Sequence, residues 1–184
     1  KIGVYIEVKS DLDETRLIEK LAGRLSSADI TDKKAFRKEL LAEIEASRTK
    51  NLILTRKTIE AVKKRRMQHQ VVIQSFSPII CAIALAEAPD IRTEFLGAYD
   101  EKHPEYWSIF TTLGKAMGVA GFNINFESLT PERLACFHDT GATTAIWTVD
   151  EPEKMRQVVT LGVDAVITNK PDLCRQTLTE LGKR

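Results

Sequence analysis

Cysteine is scarce in this sequence, since only three of the 184 residues, Cys81, Cys136 and Cys174, are of that type. They lie far apart, and no pair has the C-x-x-C spacing of a zinc site built on thiolates. The odd number also argues against a disulfide scaffold. Because each cysteine lies in an apolar helical stretch, we expect three buried, inert thiols. A soluble domain of a reducing compartment, the cytoplasm, is therefore expected.

Long apolar runs and an excess of one charge are also missing. The longest apolar run, residues 79–86, is far shorter than the ~20 residues that span a bilayer, so we expect no transmembrane segment. No basic-then-apolar stretch opens the sequence, so a secretory signal is not visible. With 27 Lys and Arg against 26 Asp and Glu, the net charge is +1, whereas a nucleic-acid binder usually has a stronger basic excess.

A local basic run at residues 63–66, with the sequence KKRR, is the one feature that invites a nucleic-acid or membrane surface. Acidic residues are dense nearby and no aromatic residues interleave. We therefore favour the solvated last turn of a helix, where cations complement the helix dipole. No nucleic-acid partner is expected.

Short β-branched runs alternate with amphipathic helical patterns along the whole sequence. Strands are predicted at residues 2–8, 71–75, 93–97, 119–124, 144–149 and 163–168. Helices are predicted at about residues 13–25, 32–46, 50–67, 78–88, 105–117, 131–140, 151–161 and 171–181. Nearly continuous apolar strands separated by helices are typical of βα units, which build a parallel sheet covered by helices. The length suits one domain.

The segment between the first two predicted strands is unusually long for a single crossover. It contains one helix and then a charged pair of helices over residues 31–67, which we interpret as an insertion. The sequence leaves three roles open for this insertion: a lid, a partner surface or a spacer.

Capping residues mark the ends of the later helices. Thr130 can cap the helix that Pro131 opens, because proline is tolerated where the first amide has no partner. Asp150 with Glu153 three residues later matches a capping box. Gly162 suits a left-handed cap at a helix end. These roles are structural.

Charged residues at the end of the first strand are the strongest chemical signal. The two-residue period places Tyr5, Glu7 and Lys9 on one face. Burying such charges is costly unless they pair with each other, with a metal or with a charged substrate. A structural pair at the rim is one interpretation. In a functional interpretation, Glu7 is a ligand of a hard cation, and the neighbouring Lys9 neutralises an anionic substrate. A Schiff-base Lys9 is a further option, which the neighbouring glutamate opposes by favouring the protonated amine.

The three histidines carry less information. In parallel α/β folds the functional residues follow the carboxyl ends of the strands. His69 precedes a strand and should face the opposite end, and His138 lies inside a predicted helix. Only His103, in the loop after the third strand, can reach the functional face, and its polar neighbours are those of an ordinary loop. Trp147 at a strand end is a better candidate for the wall of a pocket.

Four strings occur in order along the sequence: IEVKS at residues 6–10, VIQSF at 72–76, IWTVD at 146–150 and LGVDAVITNKP at 161–171. This succession resembles the glycerophosphodiester phosphodiesterase family, whose fold is a (β/α)8 barrel. The match spans nearly all of the chain apart from the charged segment 31–67.

The resemblance implies roles for four residues. Glu7 would bind a divalent cation, Ca²⁺ or Mg²⁺, and Lys9 would contact the substrate phosphate as a catalytic residue. Phe76 and Trp147 would line the pocket near the glycerol group. Family members hydrolyse a glycerophosphodiester to glycerol 3-phosphate and an alcohol, with two histidines as acid and base.

Departures from the family pattern concern its first three strands. There the family carries both histidines and two further acidic metal ligands, which this sequence does not contain. We therefore expect a partial (β/α)8 TIM barrel, about strands 4 to 8 with their helices, in which residues 1–184 are the C-terminal portion of a single domain. The length agrees, because a complete barrel needs about 250 residues. This portion alone should be almost inactive, with the catalytic histidines upstream.

A non-catalytic interaction module derived from a partial barrel is the alternative. An unpaired edge strand exposes hydrogen-bonding groups and can pair with another chain. A homo-oligomer formed through the open edge strand or through residues 31–67 would follow.

Overall fold

A computed structural model describes residues 3–26 and 30–183, which form an α/β fold with a curled sheet of six parallel strands. The strands, in spatial as well as chain order, are β1 Val4–Glu7, β2 Val71–Ser75, β3 Arg92–Gly97, β4 Gly121–Asn125, β5 Thr143–Trp147 and β6 Ala165–Val166. The helices are α1 Thr15–Gly23, α2 Lys33–Ser47, α3 Lys50–Lys64, α4 Pro78–Glu87, α5 Pro104–Met117, α6 Pro131–His138, α7 Pro152–Leu161 and α8 Pro171–Glu180. Short 3-10 turns occupy Arg24–Ser26 and Phe126–Ser128.

The predicted alternation of strands and helices is confirmed over the described ranges, and the ends differ by a few residues. The largest difference is β6, which has two residues instead of the expected six, since only Ala165 and Val166 pair with β5. The start of the first predicted strand, Ile2, lies outside the described residues. All six predicted strands form, and β4 pairs on both sides. The comparison with barrel strands 4 to 8 would have required only five. Which strands of a complete barrel these are stays a prediction.

Parallel pairing brings the carboxyl ends of the strands to one edge. Glu7 of β1 lies opposite Gln74 of β2, and Asn125 of β4 lies opposite Trp147 of β5. Side chains alternate between the two faces of the sheet. One set lies on the concave face, and the other set is covered by the helices. The side chains at the carboxyl ends of the strands therefore surround one opening of the half-barrel, which we call the mouth.

An aromatic cluster holds the helices to the outer face of the sheet. Phe122 of β4 stacks on Phe137 of α6 with ring centroids 4.3 Å apart, and Phe110 of α5 contacts Phe122 edge-on at 5.3 Å. Gly114 allows this approach, because a Cβ there would lie 2.4 Å from the Phe122 ring. Helix α5 thus lies against the sheet at a position where any side chain would push it away.

The charged segment 31–67 forms two helices of the outer layer. Asp32 caps α2 by accepting hydrogen bonds from the backbone of residues 34 and 35, and Thr49 caps α3. One stripe of α2, made of Phe36, Leu40 and Ile44, is fully buried in the main apolar core. Both helices pack on α4. The segment is therefore part of the body of the fold, and its status as an insertion stays a prediction.

The cysteines depart from expectation at one position. Cys81 and Cys174 are buried, and desolvation raises the pKa of both thiols. Cys136 is exposed, with its Sγ 2.7 Å from Nζ of Lys115, so the expectation of three buried thiols was wrong. Helix α6 buries Leu134 and Phe137, and the intervening position 136 faces outward. In the described part of the chain, no helix has the length and apolar character that crossing a bilayer requires.

Replacing Phe36 by alanine tests whether residues 31–67 belong to the core. Phe36 is fully buried, so F36A should lower the free energy of unfolding by about 3–5 kcal/mol. The matched control is K38A at an exposed position of the same helix, which should change it by less than about 0.5 kcal/mol. Urea unfolding followed by circular dichroism measures both, and equal stabilities of the two variants would contradict the packing of α2.

Candidate functional site

Three of the four residues singled out in the sequence line one cavity. Glu7, Phe76 and Trp147 meet at the carboxyl ends of β1, β2 and β5, around a space of about 210 Å³. The remaining walls are formed by Gln74, Leu96, Thr148 and Ile167. Lys9 lies in an adjoining recess of about 270 Å³, which Glu7 and Phe76 also line. We call the first space the mouth cavity.

Glu7 and Lys9 form a pair at the rim. Their charged groups are 3.8 Å apart, and the Lys9 side chain is 81% exposed against 33% for Glu7. An exposed ion pair of this kind contributes about 1 kcal/mol or less to stability. The fold therefore does not depend on this pair, and both groups are accessible to a ligand.

A divalent cation needs more ligands than this rim provides. Calcium takes six to eight oxygen ligands, and magnesium demands near-octahedral coordination. Among residues 3–26 and 30–183, no group of three or more His, Cys, Asp or Glu side chains is placed to hold a metal ion. Glu7 can supply one carboxylate, so the described residues do not form a complete metal site.

Aromatic side chains form one wall of the mouth cavity. The Phe76 and Trp147 rings meet edge-to-face with centroids 5.6 Å apart. The Trp147 indole N–H donates to the backbone carbonyl of Asn123 at 3.1 Å, which fixes the ring against β4. Just before Phe76, the Ser75 hydroxyl donates to the carbonyl of Val8 at 2.6 Å and joins the ends of β1 and β2. The wall is thus held from several strands.

A buried carboxylate lies deeper on the concave face, and the sequence reasoning missed it. Glu94 of β3 is 1% exposed. Its carboxylate accepts a hydrogen bond from Nε of Arg92 at 2.5 Å and one from Nδ2 of Asn123 at 2.8 Å. The same Asn123 nitrogen donates to Oε1 of Gln74 at 2.9 Å. We call Arg92, Glu94, Asn123 and Gln74 the polar layer, which leads from the base of the sheet to the mouth cavity.

Tyr5 and Gly121 lie next to the buried carboxylate. Tyr5 is hydrogen bonded to Glu94, and its pKa is raised to about 12, first by burial of the phenol and then by the negative charge of Glu94. Gly121 provides the space, because a Cβ there would lie 2.8 Å from Oγ1 of Thr143 and 3.0 Å from the Glu94 side chain. The signal in the sequence was the polar residues Gln74, Glu94 and Asn123 inside otherwise apolar strands.

Asp150 links two loops at the mouth. Its carboxylate accepts from Oγ1 of Thr168 at 2.8 Å, from the backbone N of Asn169 at 2.7 Å and from Nδ2 of Asn169 at 3.0 Å. These hydrogen bonds, those from Asn169 first, lower the pKa of the Asp150 carboxyl. The predicted capping box was wrong, because α7 has Glu151 at its N-cap and Asp150 bonds across to the loop after β6.

None of the three histidines lines the mouth cavity. His69 lies in a recess beside the start of β2, at the opposite end of the sheet as expected. His103 is exposed at the start of α5, with Nδ1 3.1 Å from Glu105. His138 is at the end of α6, with Nε2 2.8 Å from Asp164. No general acid or base of the histidine type is therefore in place among these residues.

The fold and the site together define a class of protein: a parallel α/β half-barrel with an acid, an amine and an aromatic wall at its carboxyl mouth. The model of the "Glycerophosphoryl diester phosphodiesterase family" matches residues 26–173. The chain belongs to that family, as its sequence strings indicated.

Individual relatives agree with this assignment. A glycerophosphodiester phosphodiesterase of Caldanaerobacter subterraneus subsp. tengcongensis is 28% identical over 116 residues, which are 63% of this chain and 45% of the relative. A crystal structure assigned to the same activity, from Silicibacter pomeroyi DSS-3, is 25% identical and superimposes with a TM-score of 0.65. The alignment covers 98% of this chain and 52% of the Silicibacter chain. A glycerophosphodiester phosphodiesterase structure from Parabacteroides distasonis is 17% identical, with a TM-score of 0.65, and supports the fold. That alignment covers 99% of this chain and 59% of the Parabacteroides chain. The chain thus spans about half the length of these relatives.

Replacing Gly121 by alanine tests the space beside Glu94. The added methyl group would collide with Thr143 and Glu94, so G121A should lower the free energy of unfolding by about 1–3 kcal/mol. The matched control is G23A, because nothing lies within 4 Å of a Cβ at that helical position, and it should be neutral or slightly stabilising. Thermal unfolding of both variants measures this. A G121A variant as stable as the parent protein would contradict the tight packing of Glu94.

Replacing Asp150 by alanine tests the link between the two loops. The pKa of Asp150 is lowered in the folded protein, so its contribution is present above the unfolded value of about 3.9 and disappears as the pH falls through the lower folded value. D150A should therefore lower Tm at pH 7, and its difference from the parent should shrink below about pH 4. The control D90A removes an exposed carboxylate that has no hydrogen bond or ion pair with residues 3–26 and 30–183, and it should leave Tm unchanged. A D150A difference that does not vary with pH would refute the assigned role.

Proposed function

We propose that the protein hydrolyses glycerophosphodiesters to glycerol 3-phosphate and an alcohol. The observation that carries this proposal is the meeting of Glu7, Phe76 and Trp147 around one cavity in a member of this family. Because the chain spans about half the length of its relatives, the proposal concerns the complete protein that contains it.

Charge at the rim suits a phosphodiester. The Lys9 ammonium group, 3.8 Å from Glu7, can offset the negative charge that the phosphoryl oxygens carry in the transition state. Lys9 is exposed and beside a carboxylate, whereas a Schiff-base lysine is usually activated in an apolar pocket or by a cationic neighbour. Binding of phosphate therefore fits this lysine better than attack on a carbonyl group.

The aromatic wall suits the glycerol group. Phe76 and Trp147 present apolar ring surface beside the Glu7 carboxylate. Glycerol has carbon-bound hydrogens that can pack on such rings and hydroxyl groups that can face polar neighbours. The two rings would thus position the glycerol end of the substrate next to the rim charges.

Metal binding is proposed with Glu7 as one ligand. A bound Ca²⁺ or Mg²⁺ would supply Lewis-acid polarisation of the phosphoryl group. Since the described residues offer no further cluster of ligands, the remaining carboxylates would come from another part of the complete protein.

General acid–base chemistry is also assigned to residues beyond this chain, because no histidine lines the mouth cavity. Each such group contributes about 10²–10⁴ in rate, so losing two raises the barrier by roughly 5–11 kcal/mol if they act independently. The 184-residue chain on its own should therefore be almost inactive.

Substitution of the rim charges tests the proposal in the complete protein. Release of glycerol 3-phosphate from glycerophosphocholine should fall about 10²–10³-fold in kcat/KM for E7Q and for K9M. E7Q removes the carboxylate proposed to bind the cation, and K9M removes the positive charge proposed to face the phosphoryl group. Treatment with EDTA should abolish activity, and added Ca²⁺ or Mg²⁺ should restore it.

The matched controls are E60Q and K57M on the exposed side of α3, which should retain full activity. Normal activity of E7Q would remove Glu7 from the site. A complete protein that hydrolyses no glycerophosphodiester with either cation present would favour the non-catalytic interaction module.

A further inference from the structure

Gln74 is a residue to which neither the sequence nor the family comparison assigns a role. We propose that its side-chain amide nitrogen donates a hydrogen bond to an oxygen atom of the bound glycerophosphodiester, and that Glu94 enforces this orientation through Asn123. The inference rests on the proposed function and adds a substrate-binding residue to the same site.

The orientation begins at Glu94. A carboxylate can only accept hydrogen bonds, and Nε of Arg92 donates one to Glu94 at 2.5 Å. The end of the Asn123 side chain that faces Glu94 must therefore be its NH2 group, which lies 2.8 Å away. The same nitrogen is 2.9 Å from Gln74, so Gln74 must meet it with its carbonyl oxygen. The NH2 group of Gln74 is then the end left for another partner.

That nitrogen has no acceptor in residues 3–26 and 30–183, although Gln74 is only 8% exposed. Gln74 lines the mouth cavity and is paired in register with Glu7 on the neighbouring strand. The nitrogen is not among the fully buried unpartnered atoms, so it is accessible from the cavity, where water or a ligand can accept its hydrogen bond. A substrate oxygen in the mouth cavity would satisfy it.

Alternative orientations of the two amides are worse. Turning Gln74 alone would set its NH2 group against that of Asn123. Turning both would set the Asn123 oxygen against the Glu94 carboxylate, where two acceptors repel. In the orientation present, Oδ1 of Asn123 is buried without a hydrogen-bond partner. The polar layer therefore leaves one of its own acceptors unsatisfied while it presents a donor to the cavity.

Binding of glycerol 3-phosphate to the complete protein tests the inference. Calorimetry should show a Kd at least tenfold higher for Q74M, which keeps the approximate shape and removes the donor. E94Q, which ends the requirement for an NH2 group at Asn123, should raise Kd by a smaller factor. The matched control Q70M, at an exposed position beyond the opposite end of the sheet, should leave Kd unchanged.

The side-chain amide signals of Gln74 give a second readout that needs no variant in the cavity. Adding glycerol 3-phosphate to the ¹⁵N-labelled parent protein should shift these signals, and this result decides the matter if Q74M does not fold. Unshifted signals, or a folded Q74M with the Kd of the parent, would overturn the role of Gln74 and leave the proposed function standing. A parent protein that neither binds glycerol 3-phosphate nor hydrolyses glycerophosphodiesters would overturn both.

Discussion

The concave face of this half-barrel is organised around one buried negative charge, the carboxylate of Glu94. An ion removed from water is costly unless its hydrogen-bonding capacity is used, and here Arg92, Asn123 and Tyr5 use it. Gly121 leaves the space in which this carboxylate fits. Because its partners come from β1, β3 and β4, the charge holds three strands in one arrangement and sets the direction of the amides above it.

The parallel sheet accounts for the position of the candidate site. Parallel strands joined by helices put all of their carboxyl ends at one edge, so residues as distant in the chain as Glu7, Phe76 and Trp147 meet there. The aromatic cluster on the outer face holds α5 and α6 against the sheet. Asp150 adds a link between the last two loops of the mouth. The site is therefore supported by the core on one side and by polar contacts on the other.

Under the proposed function, the described residues would provide part of an active site. They include one carboxylate, one amine, an aromatic wall and an oriented amide, whereas several metal ligands and an acid–base pair are expected elsewhere. This division agrees with a chain that spans about half the length of its relatives. The proposal therefore assigns binding and orientation of the substrate to this chain and the acid–base chemistry to the complete protein.

Local patterns in the sequence were sufficient for the βα alternation, for the caps at Thr130 and Gly162, and for the family to which the chain belongs. These features depend on neighbours within a few residues or on strings in a recognisable order. The length of β6, the exposure of Cys136 and the true partners of Asp150 depended on the tertiary structure. So did the polar layer, because Glu94 and its partner Asn123 are on different strands, and a side chain gives no sign in the sequence of which distant donor it will meet. Hydrogen bonds between strands exist only once the sheet has set their register, and for that reason the tertiary structure alone decided them.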